Sequence, residues 1–499
     1  MTDGSQLGSY TGGIGNVGDI VVQVRGDAIL TGMNSQGLRS GMFNVVTSGA
    51  VGNAGDIRLS AGSLSITNGA LLQTSTYGQG NAGNVKIQVQ DRFLLAGEAA
   101  GIYDGTSIFS AVGLDAVGKG GDIDIQAGSL TVLNLAELTA NTFALGNAGN
   151  ITIQVRGQAI FDDGGAFSAV GNSPLLGSGN GGNIRISANQ VELRNGTALV
   201  TRVSDNSRGN AGSVTITATE RVIIDGRNSD GDRSGIFTQV NPGAVGDANN
   251  IQITTDRLTL SNGGLLEANI EGVGRAGDIG INARILEVLT GGKLVTTTSG
   301  SSSAGNIVIE SDRINLSGRD SGLFANAETG ATGRGGDINV NARRLSIADQ
   351  ASITVSSLTG QAGNLNIAVD EILLNRGRLT AESGRGSGAE INLSQIESLL
   401  LRNNSLISAQ AFDNATGGNV TVNAKNGVVV AVPNQTMTLS RSHLKAEGAT
   451  SRSQPKVFLG LSNGLQLLEI KPMILMQVLS LINQAQSPSI VPISIRLKA

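Results

Sequence analysis

Hydrophobic and polar residues alternate in many short stretches of this chain, and each stretch follows a Gly-rich corner. Ile151, Ile153 and Val155, for example, alternate with polar residues. A period of two predicts a β-strand with one buried side and one side that faces solvent. A second and a third short apolar stretch follow, as at 257–260 and 264–268. Three strands and three corners per repeat predict one three-sided coil.

The corners carry a repeated motif, Gly-Asn-Ala-Gly-Asn/Asp-Ile/Val, which is found at 52–57, 80–85 and 146–151. With its Asn or Asp taken as an anchor, the motif and its looser copies occur fourteen times, 26 to 38 residues apart. A period in this range is typical of solenoids, in which each repeat buries its apolar side against its neighbours. The Asn and Asp anchors, predicted to stack and to hydrogen-bond the corner backbone, are Asp19, Asp56, Asn84, Asp122, Asn150, Asn183, Asn250, Asp278, Asn306, Asp337, Asn364 and Asn419. Ser213 and Glu390 occupy the other two anchor positions.

These repeats predict an all-β protein, a right-handed parallel β-helix of about fourteen coils that covers residues 1–435. Its strands pair between coils that are about 4.8 Å apart. An antiparallel sandwich could show the same alternation, but it predicts hairpins without a fixed internal anchor. Residues 436–499 lack the repeat and contain four of the seven Pro. We expect them to form a divergent tail, either a cap or a frameshifted end.

The longer repeats insert polar loops before the third strand, at 33–43, 227–237 and 319–324. Loops on a rigid scaffold often determine binding specificity, although surface insertions without a role are the alternative. The four Phe that recur near this place in the coil are Phe43, Phe109, Phe237 and Phe324. Because they recur at one position, we expect them to fill the core at a corner. Presentation to a ligand is the alternative.

Composition narrows the chemistry that the chain can perform. The net charge is −4 and no basic patch is interleaved with aromatics, so nucleic-acid binding is not expected. The chain has no Cys, and its one His, His443, lies in the tail, which leaves no Ser–His–Asp arrangement to propose. The chain contains no run of eighteen apolar residues, so the sequence does not predict a transmembrane helix.

Two motifs resemble cofactor or metal sites but lack the required context. The Gly-x-Gly-x-x-Gly pattern at 13–18 precedes a strand, whereas a dinucleotide-binding motif opens a helix. The Gly-Gly-Asp sequences ending at Asp122 and Asp337 lack the nine-residue spacing of calcium-binding repeats. We therefore predict no catalytic residue, no cofactor and no metal. Carboxylates from neighbouring coils leave a polysaccharide-acting enzyme as an alternative.

The repeat blocks at 80–85, 234–239, 260–268 and 428–433 resemble the filamentous haemagglutinin-type exoproteins of cyanobacteria. The resemblance covers residues 10 to about 435. It implies a non-catalytic, extracellular or cell-surface β-helical shaft that acts in adhesion, with a cell-surface or carbohydrate ligand. It also implies two-partner secretion through an outer-membrane transporter barrel.

One departure from that family concerns export. The chain shows neither a signal peptide nor an Asn-Pro-Asn-Gly-Ile type motif, and the nearest sequence is Asn241-Pro242-Gly243. We therefore expect a fragment that lacks the N-terminal secretion domain. A polysaccharide-acting enzyme and a purely structural surface-layer component remain as alternatives.

Overall fold

The computed structural model describes residues 1–97, 105–171, 177–328, 330–412, 415–424 and 426–431, together with three strands beyond them. Among these residues, no helix is long and apolar enough to cross a membrane. The strands, numbered β1 to β38 in chain order, are Gln6–Thr11, Ile20–Gln23, Asp27–Thr31, Gly41–Val46, Ile57–Ala61, Ser63–Thr67, Leu71–Thr76, Val85–Val89, Arg92–Ala96, Ser107–Val112, Ile123–Ala127, Ser129–Leu133, Glu137–Thr139, Ile151–Val155, Gln158–Asp162, Gly165–Val170, Ile184–Arg194, Ala198–Val203, Val214–Asp225, Gly235–Val240, Ile251–Ser261, Leu265–Ile270, Ile279–Leu289, Lys293–Thr298, Ile307–Ser317, Gly322–Ala327, Ile338–Ala348, Ser352–Ser357, Leu365–Asn375, Arg378–Ser383, Ile391–Ser394, Ser398–Arg402, Leu406–Ala411, Val420–Val422, Val428–Ala431, Leu439–Ser440, Lys456–Leu461 and Gly464–Leu465.

These strands stack in parallel as a β-solenoid, which is the predicted right-handed parallel β-helix. A strand begins directly after each of the fourteen anchors. The solenoid has about 12 turns, somewhat fewer than the fourteen coils predicted. Among the described strands only β37 and β38 pair antiparallel, so the sandwich alternative is wrong.

Each coil has three sides, which we name from the coil that starts at Ile251. Its anchor side is 251–255, its second side is 257–261 and its third side is β22. In the early coils the anchor and second sides are separate strands, whereas from β17 to β29 they merge into one bent strand. The third sides form a sheet of 15 strands, and the other two sides form one of 23.

The predicted tail at 436–499 lies outside the described residues, apart from β36, β37 and β38. Strand β36 pairs with β33, and β37 pairs with β35, both in parallel. Backbone pairing of the solenoid type therefore extends beyond residue 435.

The core is a continuous ladder of aliphatic side chains inside the coil. Ile57, Val85, Ile123 and Ile151 follow one another in register, and all four are fully buried. Burying one such side chain contributes about 1.5–3 kcal/mol, so each coil is stable only when its neighbours cover it. Apolar and polar residues therefore alternate along the anchor side because every second side chain belongs to this ladder.

The expectation that the four recurring Phe fill the core is wrong for Phe109, Phe237 and Phe324, which are only partly buried, whereas Phe43 is buried. Phe237 lies between Ile236 and Thr238, which are both fully buried. Since alternate residues of a strand point to opposite faces, Phe237 lies on the outward face of the third side. Phe43 belongs to a separate outer cluster with Val45 and Leu71, against which Phe109 packs, and Phe324 is half-buried on the same face.

Buried hydroxyl groups connect the third side to the anchor corner across the interior. Thr201 donates a hydrogen bond to the Gly212 carbonyl at 2.6 Å, and Ser168 donates one to the Gly149 carbonyl at 2.7 Å. Buried backbone carbonyls need such partners. The small polar residues that interrupt the apolar pattern of the third side are therefore structural.

Both Gly of the corner motif lie against the preceding coil, and the first has a conformational constraint as well. Gly80 has a φ of 137°, a conformation that residues with a side chain rarely adopt. Gly83 lies directly against the preceding coil, where an added Cβ would be 2.0 Å from the Gly55 carbonyl oxygen. At Gly80, too, an added Cβ would be 2.0 Å from a carbonyl oxygen of the preceding coil, that of Gly52. The first Gly of the motif is therefore required by conformation and by close backbone approach, and the second by close approach alone.

This close approach makes Gly83→Ala strongly destabilising, by about 3 kcal/mol or more, because backbone rather than a side chain must move. Gly18 holds the same motif position in the first coil, yet a Cβ there meets no atom within 4 Å. We therefore expect Gly18→Ala to stay within about 1 kcal/mol of the wild type. Urea unfolding followed by circular dichroism measures both. Equal losses in the two variants would contradict the stacking explanation.

Candidate functional site

The predicted anchors lie in one column along the corner. In this column a side-chain oxygen of one coil accepts a hydrogen bond from the backbone N–H of the next anchor. Asp56 Oδ1 accepts from the N–H of Asn84 at 2.9 Å, and Asn84 Oδ1 accepts from Asp122 at 2.9 Å. Such bonds join Asp19 to Asp56, Asp56 to Asn84, Asn84 to Asp122, Asp122 to Asn150, Asn150 to Asn183, Asn183 to Ser213, Asn250 to Asp278, Asp278 to Asn306, Asn306 to Asp337, Asp337 to Asn364 and Asn364 to Glu390. Asn and Asp serve equally because both supply this oxygen.

At the two remaining layer boundaries, the coils are joined at this corner through the backbone. The Asn419 carbonyl accepts a hydrogen bond from the N–H of Ile391 at 2.9 Å, and the Asn250 carbonyl accepts one from Val214 at 3.0 Å. A side chain as short as that of Ser213 does not reach the next layer as Asn does. The column therefore supplies hydrogen-bond acceptors to backbone N–H groups of successive coils, and it is interrupted where the side chain does not reach the next coil.

A second column, which sequence reasoning missed, runs three residues before the anchors. The N–H of Asn81 donates to Asn53 Oδ1 at 2.8 Å, and the N–H of Asn210 donates to Asn180 Oδ1 at 2.9 Å. The signal was weaker than that of the anchors, because Asn or Asp occupies this position in only seven of the fourteen copies, against twelve of fourteen at the anchor. Both columns use the Oδ1 atoms of their Asn and Asp side chains to satisfy the backbone of the next coil.

A groove of about 560 Å³ lies on the outward face of the third side. Its floor is formed by Phe167, Val200 and Phe237, which are paired in successive coils. The two Phe are therefore about 10 Å apart, at two layer spacings. Sequence analysis named Phe237 but missed Phe167, since no long loop precedes Phe167. Polar residues that line the groove are Glu137, Asp163, Arg202, Asn228, Asp232, Arg233 and Gln239.

The wall of the groove includes the loop 227–233, which is part of a predicted insertion. Arg227 and Arg233 form an antiparallel bridge at its base. Asn228 Oδ1 accepts hydrogen bonds from the N–H groups of Asp230 at 3.1 Å and Asp232 at 2.8 Å. Asn is well suited to such local bonds, and they hold the loop in a defined shape.

The other two predicted insertions differ from each other. In the loop at 33–43, Met33 and Arg39 form the same kind of bridge, and Asn34 Oδ1 accepts from the N–H of Leu38 at 2.9 Å. At 319–324 only a tight turn, Arg319-Asp320, precedes β26. Only part of the predicted loop set is therefore a true hairpin loop.

Electrostatics distinguish the groove from an ordinary surface. Its walls desolvate Glu137, which raises the pKa of that carboxyl even though the side chain keeps contact with solvent. Desolvation also raises the pKa of Asp163, with repulsion from Asp162 adding to it. Desolvation lowers the pKa of Arg233. The groove thus combines an apolar aromatic floor with donors and acceptors at its walls, as ligand sites generally do.

Comparison of the chain with protein-family models, curated proteins and solved structures gives no match. Within the described residues, no group of three or more His, Cys, Asp or Glu is arranged to hold a metal ion. We accordingly consider ligands that bind by stacking and hydrogen bonding.

The anchor column yields a test at Asn183, which accepts from the N–H of Ser213 at 2.9 Å and donates to Asn150 Oδ1 at 3.2 Å. Asn183→Ala leaves that N–H without its acceptor, so we expect a loss of about 1–3 kcal/mol in the free energy of unfolding. Asn183→Asp keeps the acceptor and should lose less, since the order Asn then Asp occurs naturally at Asn84 and Asp122. Urea unfolding of both variants measures the difference. An Asp variant as unstable as the Ala variant would contradict the role of the acceptor.

Glu267, which pairs with Phe237 beside the groove, supplies a pH test. Burial raises its pKa in the folded protein, above an unfolded value of about 4.3. The stability that the protonated Glu267 carboxyl contributes is therefore fully present below about pH 4. It is lost as pH rises through the pKa of Glu267 in the folded protein. Glu267→Gln should be more stable than the wild type at pH 7, and the difference should vanish below about pH 4.

Asp256 is the matched control, because its pKa is shifted in the opposite direction. A hydrogen bond from Arg284 lowers the pKa of Asp256, so this pair stabilises the fold above the unfolded pKa. Asp256→Asn should be less stable than the wild type at pH 7, with the difference lost as pH falls through the folded pKa. Thermal unfolding between pH 3 and pH 8 follows both variants. If the stability differences of Glu267→Gln and Asp256→Asn from the wild type changed with pH in the same direction, the opposite pKa shifts inferred for the two carboxyls would be wrong.

Proposed function

We propose that this chain is the non-catalytic, extracellular shaft of an adhesin of the filamentous haemagglutinin type. In this proposal it attaches to a cell surface or a polysaccharide through the groove on the third side. The observation that supports this proposal most directly is the groove, in which Phe167 and Phe237 form the floor beside a hydrogen-bonded loop. Because a parallel β-helix alone does not separate an adhesin from an enzyme, the proposal depends on this site and on the repeat blocks.

The shape of the groove favours a chain-like ligand over a small globular one. Its aromatic floor follows the stacking direction of the coils, so an extended ligand parallel to the solenoid axis contacts both Phe rings. The walls present carboxylates, an amide and guanidinium groups, which suit a ligand rich in hydroxyls. A polysaccharide combines these properties, since its sugar rings have apolar faces and polar edges.

Secretion belongs to the same proposal and has separate support. The resemblance of 80–85, 234–239 and 260–268 to the haemagglutinin-type exoproteins supports export through an outer-membrane transporter barrel. A surface location brings the groove into contact with polysaccharide. Extracellular detection of the native gene product tests this part without any assumption about the ligand.

A polysaccharide-acting enzyme is the second candidate, and one observation favours it. Glu137 and Asp163 both line the groove, and the pKa of each is raised by desolvation. A carboxyl that stays protonated nearer neutral pH can act as a general acid. The third candidate, a purely structural surface-layer component, needs no ligand at the groove.

Phe237→Ser tests the adhesin proposal, because it removes one ring from the floor. Loss of a buried aromatic contact is worth about 1.5–3 kcal/mol, so binding should weaken by about tenfold or more. Phe324→Ser is the matched control, since Phe324 holds the same strand position three coils away and does not line the groove. Biosensor titration against a panel of immobilised bacterial polysaccharides measures the affinity of each protein.

The same incubations separate the three candidates. Saturable binding that Phe237→Ser weakens and Phe324→Ser does not, without cleavage of the polysaccharide, supports the adhesin. New reducing ends that disappear in Glu137→Gln support the enzyme instead. Absence of saturable binding across the panel supports the structural component.

A further inference from the structure

A second cavity, of about 320 Å³, lies on the second side of the solenoid. It occurs where a column of Arg is interrupted. Arg221, Arg257, Ile285, Arg313 and Arg344 are paired in successive coils. Since the side chain of Ile is shorter than that of Arg, the position of Ile285 leaves a gap between Arg257 and Arg313. That gap spans two layers, about 10 Å.

The guanidinium groups that border this gap are not equivalent. Arg257 forms an ion pair with Glu287 at 3.1 Å, and Arg344 forms one with Glu371 at 2.6 Å. Arg313 lines the cavity, and within the described residues its side chain forms neither an ion pair nor a hydrogen bond. The surrounding carboxylates therefore leave one positive charge uncompensated at the cavity.

The remaining lining is amphipathic. Ile285 lies on the same outward face as Arg257 and Arg313 and is 6% exposed, so it provides an apolar floor, whereas the fully buried Ile314 points into the core. Glu287, Asn315 and Ser346 line it as well and supply hydrogen-bond donors and acceptors. The volume is at the lower end of the range for small-molecule pockets, about 300–1,000 Å³. Such a site fits a single ring better than a long chain.

We propose that this cavity binds one carboxylate-bearing sugar residue, a hexuronate. The planar guanidinium of Arg313 matches a carboxylate through two parallel hydrogen bonds. The apolar face of the sugar ring lies on Ile285, and the ring hydroxyls bond to Asn315, Ser346 and Glu287. This site is on a different side from the groove, so it does not depend on the proposed function of the groove.

Calorimetric titration of the protein with D-glucuronate tests the proposal. We expect saturable binding that is at least about tenfold tighter than the binding of D-glucose, which lacks the carboxylate, or of acetate, which lacks the ring. Arg313→Gln should weaken glucuronate binding at least about tenfold. The control Arg275→Gln removes the same charge from an exposed pair with Asp247 at 3.0 Å and should leave binding unchanged.

Ile285→Arg distinguishes a built site from diffuse attraction. The variant continues the Arg column of the neighbouring coils and fills the gap, while it adds a positive charge. The proposed site predicts loss of glucuronate binding, whereas diffuse attraction predicts tighter binding. Circular dichroism confirms that each variant is folded.

Three results would overturn the proposal: glucuronate binding that survives Ile285→Arg, glucuronate binding that Arg313→Gln does not affect, and acetate that binds as tightly as glucuronate. Phe237→Ser should leave glucuronate binding unchanged. Loss of polysaccharide attachment in that variant together with intact glucuronate binding would thus show that the two sites act separately.

Discussion

Direct backbone contact between successive coils at the anchor corner is the constraint on which the rest of this structure depends. Where Gly83 lies against Gly55, there is no room for a side chain. This contact sets the height of each layer, and the height in turn allows the strands to pair and the anchor oxygens to reach the next N–H. A coil that was displaced at this corner would lose its ladder of Ile and Val as well as its hydrogen bonds.

Because the corner fixes the layers, the third side is free to vary. Its inward residues still fill the core or bond to the corner carbonyls, but its outward residues include Phe, Val, Glu, Lys and Arg. Loops enter just before this side without disturbing the stack, as at 227–233. The groove is the result of this division, since a regular scaffold holds an irregular surface in place.

The fold was predictable from sequence because its determinants are periodic. Alternation identified the strands, and the recurring Asn or Asp identified the start of each coil. The outward position of Phe237 was not predictable, because alternation defines two faces but only the corner geometry decides which one is inside. The groove and the Arg column were missed for another reason. Glu137, Asp163 and Asp232, like Arg257, Arg313 and Arg344, are brought together only by the register between coils of unequal length.

The direction of the hydrogen bonds in the parallel sheets has a mechanical consequence. Bonds between coils run along the solenoid axis, so a pull on the two ends of the rod loads them in tension. The Ser168 hydroxyl adds to these bonds, because it donates to the Gly149 carbonyl at 2.7 Å and accepts from the N–H of Gly182, the equivalent Gly of the next coil, at 2.8 Å. Coils therefore detach from the ends one at a time, and each releases 26 to 38 residues of extensible chain. A solenoid of this kind lengthens stepwise under load while its remaining layers stay folded.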